Sequence, residues 1–108
     1  MNNDVSIFTK IINREIPAEI IFENQNSIVI KDISPQAPIH FLIISKKPFS
    51  GIKDMAEEDF SFAEDVFKIS RYLSKTIAGA EEFKLIMNNG YKAGQRVFHA
   101  HVHFMAGF

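Results

Sequence analysis

The chain has 108 residues, 46% of them hydrophobic, and its 12 basic and 13 acidic side chains leave a net charge of −1. This length predicts one compact domain over residues 1–108, and the balanced charge argues against a polymeric nucleic acid partner. With no cysteine, disulfides and cysteine-based zinc sites are excluded.

The N-terminus lacks a cationic stretch followed by an apolar run, and no segment approaches the roughly 20 apolar residues of a membrane span. We therefore expect a cytoplasmic protein with no membrane partner. A chain this short buries a small share of its surface, which makes oligomerisation a reasonable expectation.

The first predicted element is a short helix over residues 7–13, where apolar side chains recur at helical spacing. Asp4 or Ser6 is available to cap its N-terminus, and Pro17 prevents the helix from continuing.

Three strands are predicted next. β-branched and aromatic residues indicate strands over 20–22 and 27–33, joined by a polar hairpin turn. The nearly unbroken apolar run over 39–44 is typical of a central strand covered on both faces. It contains one polar residue, His40.

A long helix is predicted after Asp54, which precedes Glu57 at the spacing of a capping box. Gly79 is expected to end this helix as its C′ residue. The predicted core face follows steps of three and four residues and consists of Phe60, Ala63, Val66, Phe67, Ser70, Leu73 and Ile77.

The last third predicts a strand over 83–87, a loop of turn-forming residues over 88–95 and a final strand over 98–104. The element order αβββαββ indicates an α+β domain with one mainly antiparallel sheet of about five strands.

The final strand carries the sharpest signal. Alternate side chains of a strand point to opposite faces, so His99, His101 and His103 share one face. The other face is then the core face and consists of Phe98, Ala100, Val102 and Phe104.

Three interpretations of these histidines compete. A solvated face that carries three histidines in register by chance is the first and the weakest. A metal site is the second. Histidines two apart on a strand are separated by roughly 6.5 to 7 Å, and with no nearby carboxylate a single ion could hardly bind all three. Catalysis is the third, because neutral imidazole is both a nucleophile and a proton carrier.

The run from His99 to Met105 fits the signature His-φ-His-φ-His-φ-φ, where φ is hydrophobic, and so resembles the histidine triad (HIT) superfamily. The segment Asp-Ile-Ser-Pro-Gln-Ala-Pro at 32–38 makes the chain similar to the Hint branch, the histidine triad nucleotide-binding proteins. Other matching segments are residues 7–8, 10–12, 15–18, 21–23, 40–41 and 94–95.

The resemblance implies a homodimer whose two sheets join into one ten-stranded sheet. It also implies binding of purine nucleoside monophosphates and hydrolysis of nucleoside phosphoramidates, with no metal and no cofactor. In that family pattern His101 is the nucleophile that forms a nucleotidyl-imidazole intermediate. His99 and His103 contact phosphate oxygens or orient the ring, and His40 completes the set.

The nucleotide-binding residues are also implied by the resemblance. Asp32 matches the residue that binds the ribose hydroxyls; from the residues alone it could equally be a turn former. His40 could be a core histidine. The apolar walls around the base match Ile7, Phe8, Ile11 and Ile33, of which the first three are otherwise ordinary core residues. The phosphate-side loop matches Asn88, Gly94 and Gln95.

The chain departs from the Hint pattern at a few positions. Arg96 stands where a serine commonly follows Gly-Gln, and it is expected either to face the phosphate or to extend into solvent. Lys31 and Pro48 replace frequent histidines, and the sequence ends at Phe108 without the family's tryptophan-containing tail. The replacements at Lys31 and Pro48 are not central to the chemistry, whereas Arg96 and the missing tail bear on the leaving group.

Three functions follow from the sequence. The first is a purine nucleoside phosphoramidase, and the second is a dinucleoside polyphosphate hydrolase. The third is a nucleotide-binding or scaffolding protein in which catalysis is incidental, because a fold and a site do not reveal the selected function.

Overall fold

A computed structural model describes residues 5–108. Its centre is a five-stranded sheet in which every neighbouring pair is antiparallel, with spatial order β1-β2-β3-β5-β4. The strands are β1 (Ile20–Glu23), β2 (Ser27–Lys31), β3 (Ile39–Ser45), β4 (Phe83–Ile86) and β5 (His101–Ala106). The predicted α+β class and five-stranded antiparallel sheet are confirmed.

Two α-helices accompany the sheet, α1 (Ile7–Ile12) and α2 (Phe60–Thr76). Ser6 caps α1, because its Oγ accepts a hydrogen bond from the amide of Thr9 at 3.1 Å. The other candidate cap, Asp4, lies outside the described residues. Helix α1 has only six residues, so its stability depends on what it packs against.

The predicted start of α2 is wrong. Ile52–Asp54 and Glu57–Asp59 form single 3₁₀ turns, and the α-helix begins only at Phe60. The capping carboxylate is that of Asp59, which accepts from the amide of Ala56 at 2.8 Å and binds the Lys47 ammonium at 2.8 Å. This carboxylate stabilises the turn before the α-helix, and it lies five residues after Asp54, the residue predicted to cap the helix.

The predicted core face of α2 is wrong at three positions. Phe60 and Phe67 are 50% and 74% exposed, and Ala63 is exposed as well. The apolar residues of α2 form two stripes along the helix. The sheet covers only a part of the stripe that was predicted to be the core face. The buried residues of α2 are Phe62, Val66, Ile69, Ser70 and Leu73.

The helix also ends earlier than predicted. Its last residue is Thr76, and Gly79 lies in the following turn, where the amide of Ala80 donates to the carbonyl of Ile77. Gly79 does have a positive φ of 88°. Gly79 therefore lies in the turn after the helix and is not its C′ residue.

Strand β5 begins three residues later than predicted and extends two residues further. The segment before it leaves the ladder: the amide of Ala100 donates to the carbonyl of Phe49 at 2.7 Å. Phe98 is consequently 52% exposed and is not a core residue. His99 therefore lies outside the regular strand.

The sheet has a core on each side. The side that we call the α2 face includes Val29, Ile43, Leu73, Val102 and Phe104. The side that we call the histidine face carries the buried residues Phe8, Ile11, Ile28, Ile30, Leu42 and Ile44. No helix within residues 5–108 combines the length and apolar character needed to cross a membrane.

Candidate active site

The pairing of β3 with β5 brings three histidines to one face of the sheet. His101 lies opposite Ile44, His103 opposite Leu42, and His40 opposite Met105. Because strand residues two apart share a face, His40, His101 and His103 all project toward α1. The ring centroids of His101 and His103 are 5.3 Å apart, and those of His40 and His103 are 5.1 Å apart.

His101 is held in one tautomer. Its Nδ1 lies 2.7 Å from the carbonyl oxygen of His99, so Nδ1 carries the proton and donates it. Burial lowers the pKa of His101, against the opposing effect of that hydrogen bond. The neutral ring therefore keeps its lone pair on Nε2, which has no hydrogen-bond partner within residues 5–108. The ring edge packs against Phe8, with centroids 4.9 Å apart.

His99 is 1% exposed, and both of its ring nitrogens bind the protein. Nε2 lies 2.6 Å from the carbonyl oxygen of Ser45, and Nδ1 lies 2.6 Å from Ser6 Oγ. Burial lowers the pKa of His99, and nearby His101 lowers it further. Neither nitrogen is free for a phosphate oxygen, so the geometry favours a role in orienting the nucleophile.

A relay of hydrogen bonds sets the tautomer of His103. The backbone amide of Gln36 donates to Nδ1 of His40 at 2.9 Å, so Nδ1 is an acceptor and the ring proton lies on Nε2. That proton is donated to Nδ1 of His103 at 2.8 Å. His103 therefore presents an N–H at Nε2. Burial lowers the pKa of His103, and the neighbouring His101 and His40 add to this effect.

Asp32 follows the last residue of β2 and joins this group. Its Oδ1 accepts from the amide of Ser34 at 2.7 Å, and its Oδ2 lies 3.4 Å from Nε2 of His40. The sequence analysis missed this proximity when it found no carboxylate near the histidines. Candidate ligand atoms of Asp32, His40 and His103 all lie within 4.8 Å of one another.

This cluster is nevertheless a poor metal site. A metal at Nε2 of His40 would require the proton to move to Nδ1, where the Gln36 amide already points its own hydrogen. The two hydrogens would then face each other. The chemistry of the donor set therefore disfavours a divalent ion.

The residues matched to the base pocket differ in their exposure. Phe8 and Ile11 are buried in α1, whereas Ile7 is 47% exposed and Ile33 is 94% exposed. Ile33 stands next to Asp32, beyond the end of β2. The exposed side chains of Ile7 and Ile33 are available to contact a ligand, while Phe8 supports the ring of His101.

The loop before β5 is tightly connected. Gln95 is 3% exposed; its Oε1 accepts from the amide of Gly90, and its Nε2 donates to the carbonyls of Ser50 and Val97. Gly94 has a φ of 101°, and a Cβ there would lie 3.2 Å from the Asn88 amide nitrogen. The positive φ therefore favours glycine at position 94, and the Asn88 side chain would have to shift slightly to admit a Cβ there.

Arg96 is exposed and packs on the same loop. Its guanidinium lies over the ring of Tyr91, 4.2 Å from the centroid, and its Nη1 donates to the carbonyls of Tyr91 and Gln95. The side chain is thus fastened to the loop rather than free in solvent. Its other N–H groups form no hydrogen bond with residues 5–108.

Sequence reasoning missed the residues that orient the histidine rings, namely Ser6, Gln36 and Ser45. Ser6 was recognised only as a helix cap, and Gln36 only as part of a motif. The contacts of Gln36 and Ser45 use backbone atoms, for which a side-chain pattern contains no signal. The one signal available in the sequence was the position of Ser6, directly before the helix that packs on a histidine.

Comparison with known proteins agrees with this geometry. Residues 13–108 match the HIT domain family model. An uncharacterized HIT-like protein of Synechocystis is 38% identical over 102 residues, which cover 94% of this chain and 90% of that protein. A HIT family hydrolase from Clostridium thermocellum superimposes with a TM-score of 0.91 at 38% identity, covering 100% of this chain and 93% of its own. A HIT family hydrolase from Legionella pneumophila superimposes with a TM-score of 0.89 at 33% sequence identity, and the match covers 96% of this chain and 94% of that one. The chain belongs to the HIT domain family.

Proposed function

We propose that the protein is a purine nucleoside phosphoramidase of the Hint type. The observation that supports this most strongly is the state of His101, a neutral ring whose Nδ1 donates its proton to the His99 carbonyl and whose Nε2 lone pair has no partner among the described residues 5–108. A buried imidazole in this state is a nucleophile at neutral pH.

In the proposed reaction, Nε2 of His101 attacks the phosphorus of the nucleoside phosphoramidate. The N–P bond to the ring forms as the bond to the leaving amine breaks. The ring becomes cationic, and the His99 carbonyl 2.7 Å from Nδ1 stabilises that charge. The departing nitrogen takes a proton from solvent and leaves as the neutral amine, while the Nε2–H of His103 can donate a hydrogen bond to a phosphoryl oxygen. Water then cleaves the nucleotidyl-imidazole and releases the monophosphate.

The nucleotide would bind beside this nucleophile. The carboxylate of Asp32 can accept hydrogen bonds from the two ribose hydroxyls, which is the geometry a vicinal diol offers. In this proposal Ile7 and Ile33 supply exposed apolar surface for the purine, and the loop containing Gly94 and Gln95 would face the phosphate. The proposal needs no cofactor.

One paired assay tests this function. Turnover of an adenosine phosphoramidate is compared with turnover of a diadenosine polyphosphate, and AMP binding is measured by calorimetry. We expect the phosphoramidate to be the faster substrate. Faster cleavage of the polyphosphate would favour the second candidate function, and AMP binding without turnover of either would favour the third.

We also propose a homodimer in the cytoplasm. Strand β4 is the last in the sheet order, so one of its edges lacks a strand partner within residues 5–108. Next to it runs an apolar groove lined by residues that include Phe60, Phe67, Leu85 and Met87. Pairing of two β4 edges would bury both grooves and join the sheets into ten strands.

Light scattering tests the dimer. The monomer mass is 12.3 kDa, and we expect twice that value in dilute solution. Phe67→Asp, which places a charge on the exposed stripe of α2, should shift the mass to that of the monomer. A monomer mass for the unmodified protein would refute the proposal.

A further inference from the structure

Ser6 connects helix α1 to the catalytic strand through the ring of His99. Its Oγ accepts from the amide of Thr9 at 3.1 Å and lies 2.6 Å from Nδ1 of His99. Thr9 Oγ1 is a more distant second neighbour of that nitrogen, at 3.3 Å. The same hydroxyl therefore caps the helix and contacts a histidine that is 93 residues away in the sequence.

The direction of the hydrogen bonds is fixed. A carbonyl oxygen only accepts, so Nε2 of His99 carries a proton and donates it to the carbonyl of Ser45. The neutral ring then has a bare lone pair on Nδ1, and Ser6 must donate its hydroxyl hydrogen there. Burial lowers the pKa of His99, which is consistent with a neutral ring.

This link reaches the nucleophile by two routes. The backbone carbonyl of His99 accepts the Nδ1 proton of His101 at 2.7 Å. Phe8, two residues after Ser6, packs its ring against both His99 and His101, with centroid distances of 5.7 and 4.9 Å. Fixing the His99 ring therefore fixes both the carbonyl and the aromatic ring that hold His101.

We infer that Ser6 is a positioning residue: by donating to His99 it keeps α1 and Phe8 against His101 and keeps the His101 lone pair on Nε2. The inference rests on the proposed role of His101 as nucleophile. It assigns Ser6 a function beyond helix capping, and a six-residue helix needs such an anchor because it is marginal alone.

Three substitutions separate the link from the cap. Ser6→Thr keeps both the cap and the hydroxyl donor. Ser6→Gly keeps most of the cap, because glycine is tolerated at an N-cap, but it has no hydroxyl to donate to His99. Ser6→Ala loses both. Ser61→Ala is the matched control, because within residues 5–108 the Ser61 hydroxyl bonds only the carbonyl of Glu58 at the start of α2.

The first measurement needs no substrate. Nitrogen-15 spectra of the histidine rings at pH 7 should show His99 protonated only on Nε2 and His101 only on Nδ1 in the unmodified protein and in Ser6→Thr. In Ser6→Gly and Ser6→Ala, which lack the hydroxyl donor, His101 should show a mixture of tautomers.

The second measurement is phosphoramidate turnover. We expect kcat to fall about tenfold in Ser6→Gly and in Ser6→Ala, the loss of one buried hydrogen bond, with Ser6→Thr and Ser61→Ala near the unmodified rate. A Ser6→Gly protein with unchanged kcat and an unchanged His101 spectrum would show that Ser6 is only a cap and would overturn the inference. If the unmodified protein has no phosphoramidase activity, the proposed function fails, and the ring spectra still decide the Ser6 link.

Discussion

The two faces of strand β5 use the same backbone for different purposes. On the α2 face, Val102 and Phe104 are buried among apolar side chains of the sheet and of α2. On the histidine face, His101 is buried and His103 is half-buried, and a hydrogen bond holds Nδ1 of each ring. Burial stabilises the fold on one face and tunes imidazole chemistry on the other.

The contrast shows what makes a buried histidine useful. Both apolar and polar side chains lose water, but the polar ones need specific partners in return. On the histidine face three of those partners are backbone groups, namely the amide of Gln36 and the carbonyls of Ser45 and His99. Substitutions on the two faces should therefore affect different observables.

The largest effect is expected for His101→Ala. Removal of the nucleophile should lower turnover by a factor of about a thousand or more while AMP affinity stays within about tenfold, because the lost interaction exists mainly in the transition state. Steady-state kinetics and calorimetry measure the two quantities, and circular dichroism checks folding. Turnover near the unmodified rate would remove His101 from the mechanism.

A matched pair of leucines compares the faces directly. Leu73 is fully buried on the α2 face, and Leu42 is 7% exposed on the histidine face, opposite His103. Each change to alanine should cost about 2 to 5 kcal/mol of unfolding free energy, since each leaves a cavity.

Only Leu42→Ala should also lower kcat, because His103 loses the side chain beside it. Urea unfolding and turnover below the unfolding transition measure both effects. Equal loss of kcat in the two variants would show that the faces are not functionally separate.

Loss of the ribose contact is expected to have a smaller effect, which depends on the ligand. Asp32→Asn keeps an oxygen for the amide of Ser34 but removes the charge. This substitution should weaken AMP binding by about 1.5 to 3 kcal/mol, the value of a hydrogen bond to a charged group. The 2′,3′-dideoxy analogue serves as control and should lose much less. Equal losses for both nucleotides would show that Asp32 does not hold the ribose.

The pH dependence of stability should also come from the histidine face. Burial lowers the pKa values of His99, His101 and His103 from 6.5, so the unfolded chain binds more protons than the folded protein near and below that pH. Their contribution is complete above about 6.5 and is lost as the pH falls through the lowered values. Unfolding free energies from urea titrations between pH 8 and 5 should therefore decrease with acidity.

His99→Gln provides the comparison for that experiment, because it removes one titrating ring from the buried set. Its free energy of unfolding should depend less steeply on pH below about 6.5 than that of the unmodified protein. Identical slopes would place the acid sensitivity elsewhere in the chain.

The sequence predicted the sheet and the histidine face because both depend on residue alternation, which is visible in one chain. It failed at the start of α2, where Asp59 and Lys47 form an ion pair across a turn. It also failed at Phe60 and Phe67, because a helix with two apolar stripes does not indicate which stripe the sheet covers. The supports of His99 and His40 depend on contacts with remote backbone groups, and periodicity contains no information on these.

The smallest effect is expected at Arg96. Two of its hydrogen bonds go to carbonyls of its own loop and its guanidinium stacks on Tyr91, so part of its value is structural. The remaining N–H groups can reach an anionic group from an exposed position, where water weakens the attraction. Arg96→Ser should therefore weaken AMP binding by about 1 kcal/mol, which is the lower end of what a fully engaged guanidinium would contribute. The affinity for adenosine should stay unchanged.

Tyr91→Leu separates the two roles of Arg96, because it removes the ring under the guanidinium and keeps the charge. If Arg96 acts on the phosphate, Tyr91→Leu should retain most of the AMP affinity that Arg96→Ser loses. Calorimetry with AMP and with adenosine, at low and high salt, measures the difference. A guanidinium cannot act as a proton relay, so any change in leaving-group preference must come from charge and shape. Equal AMP affinity in Arg96→Ser and the unmodified protein would leave the arginine with its loop contacts alone.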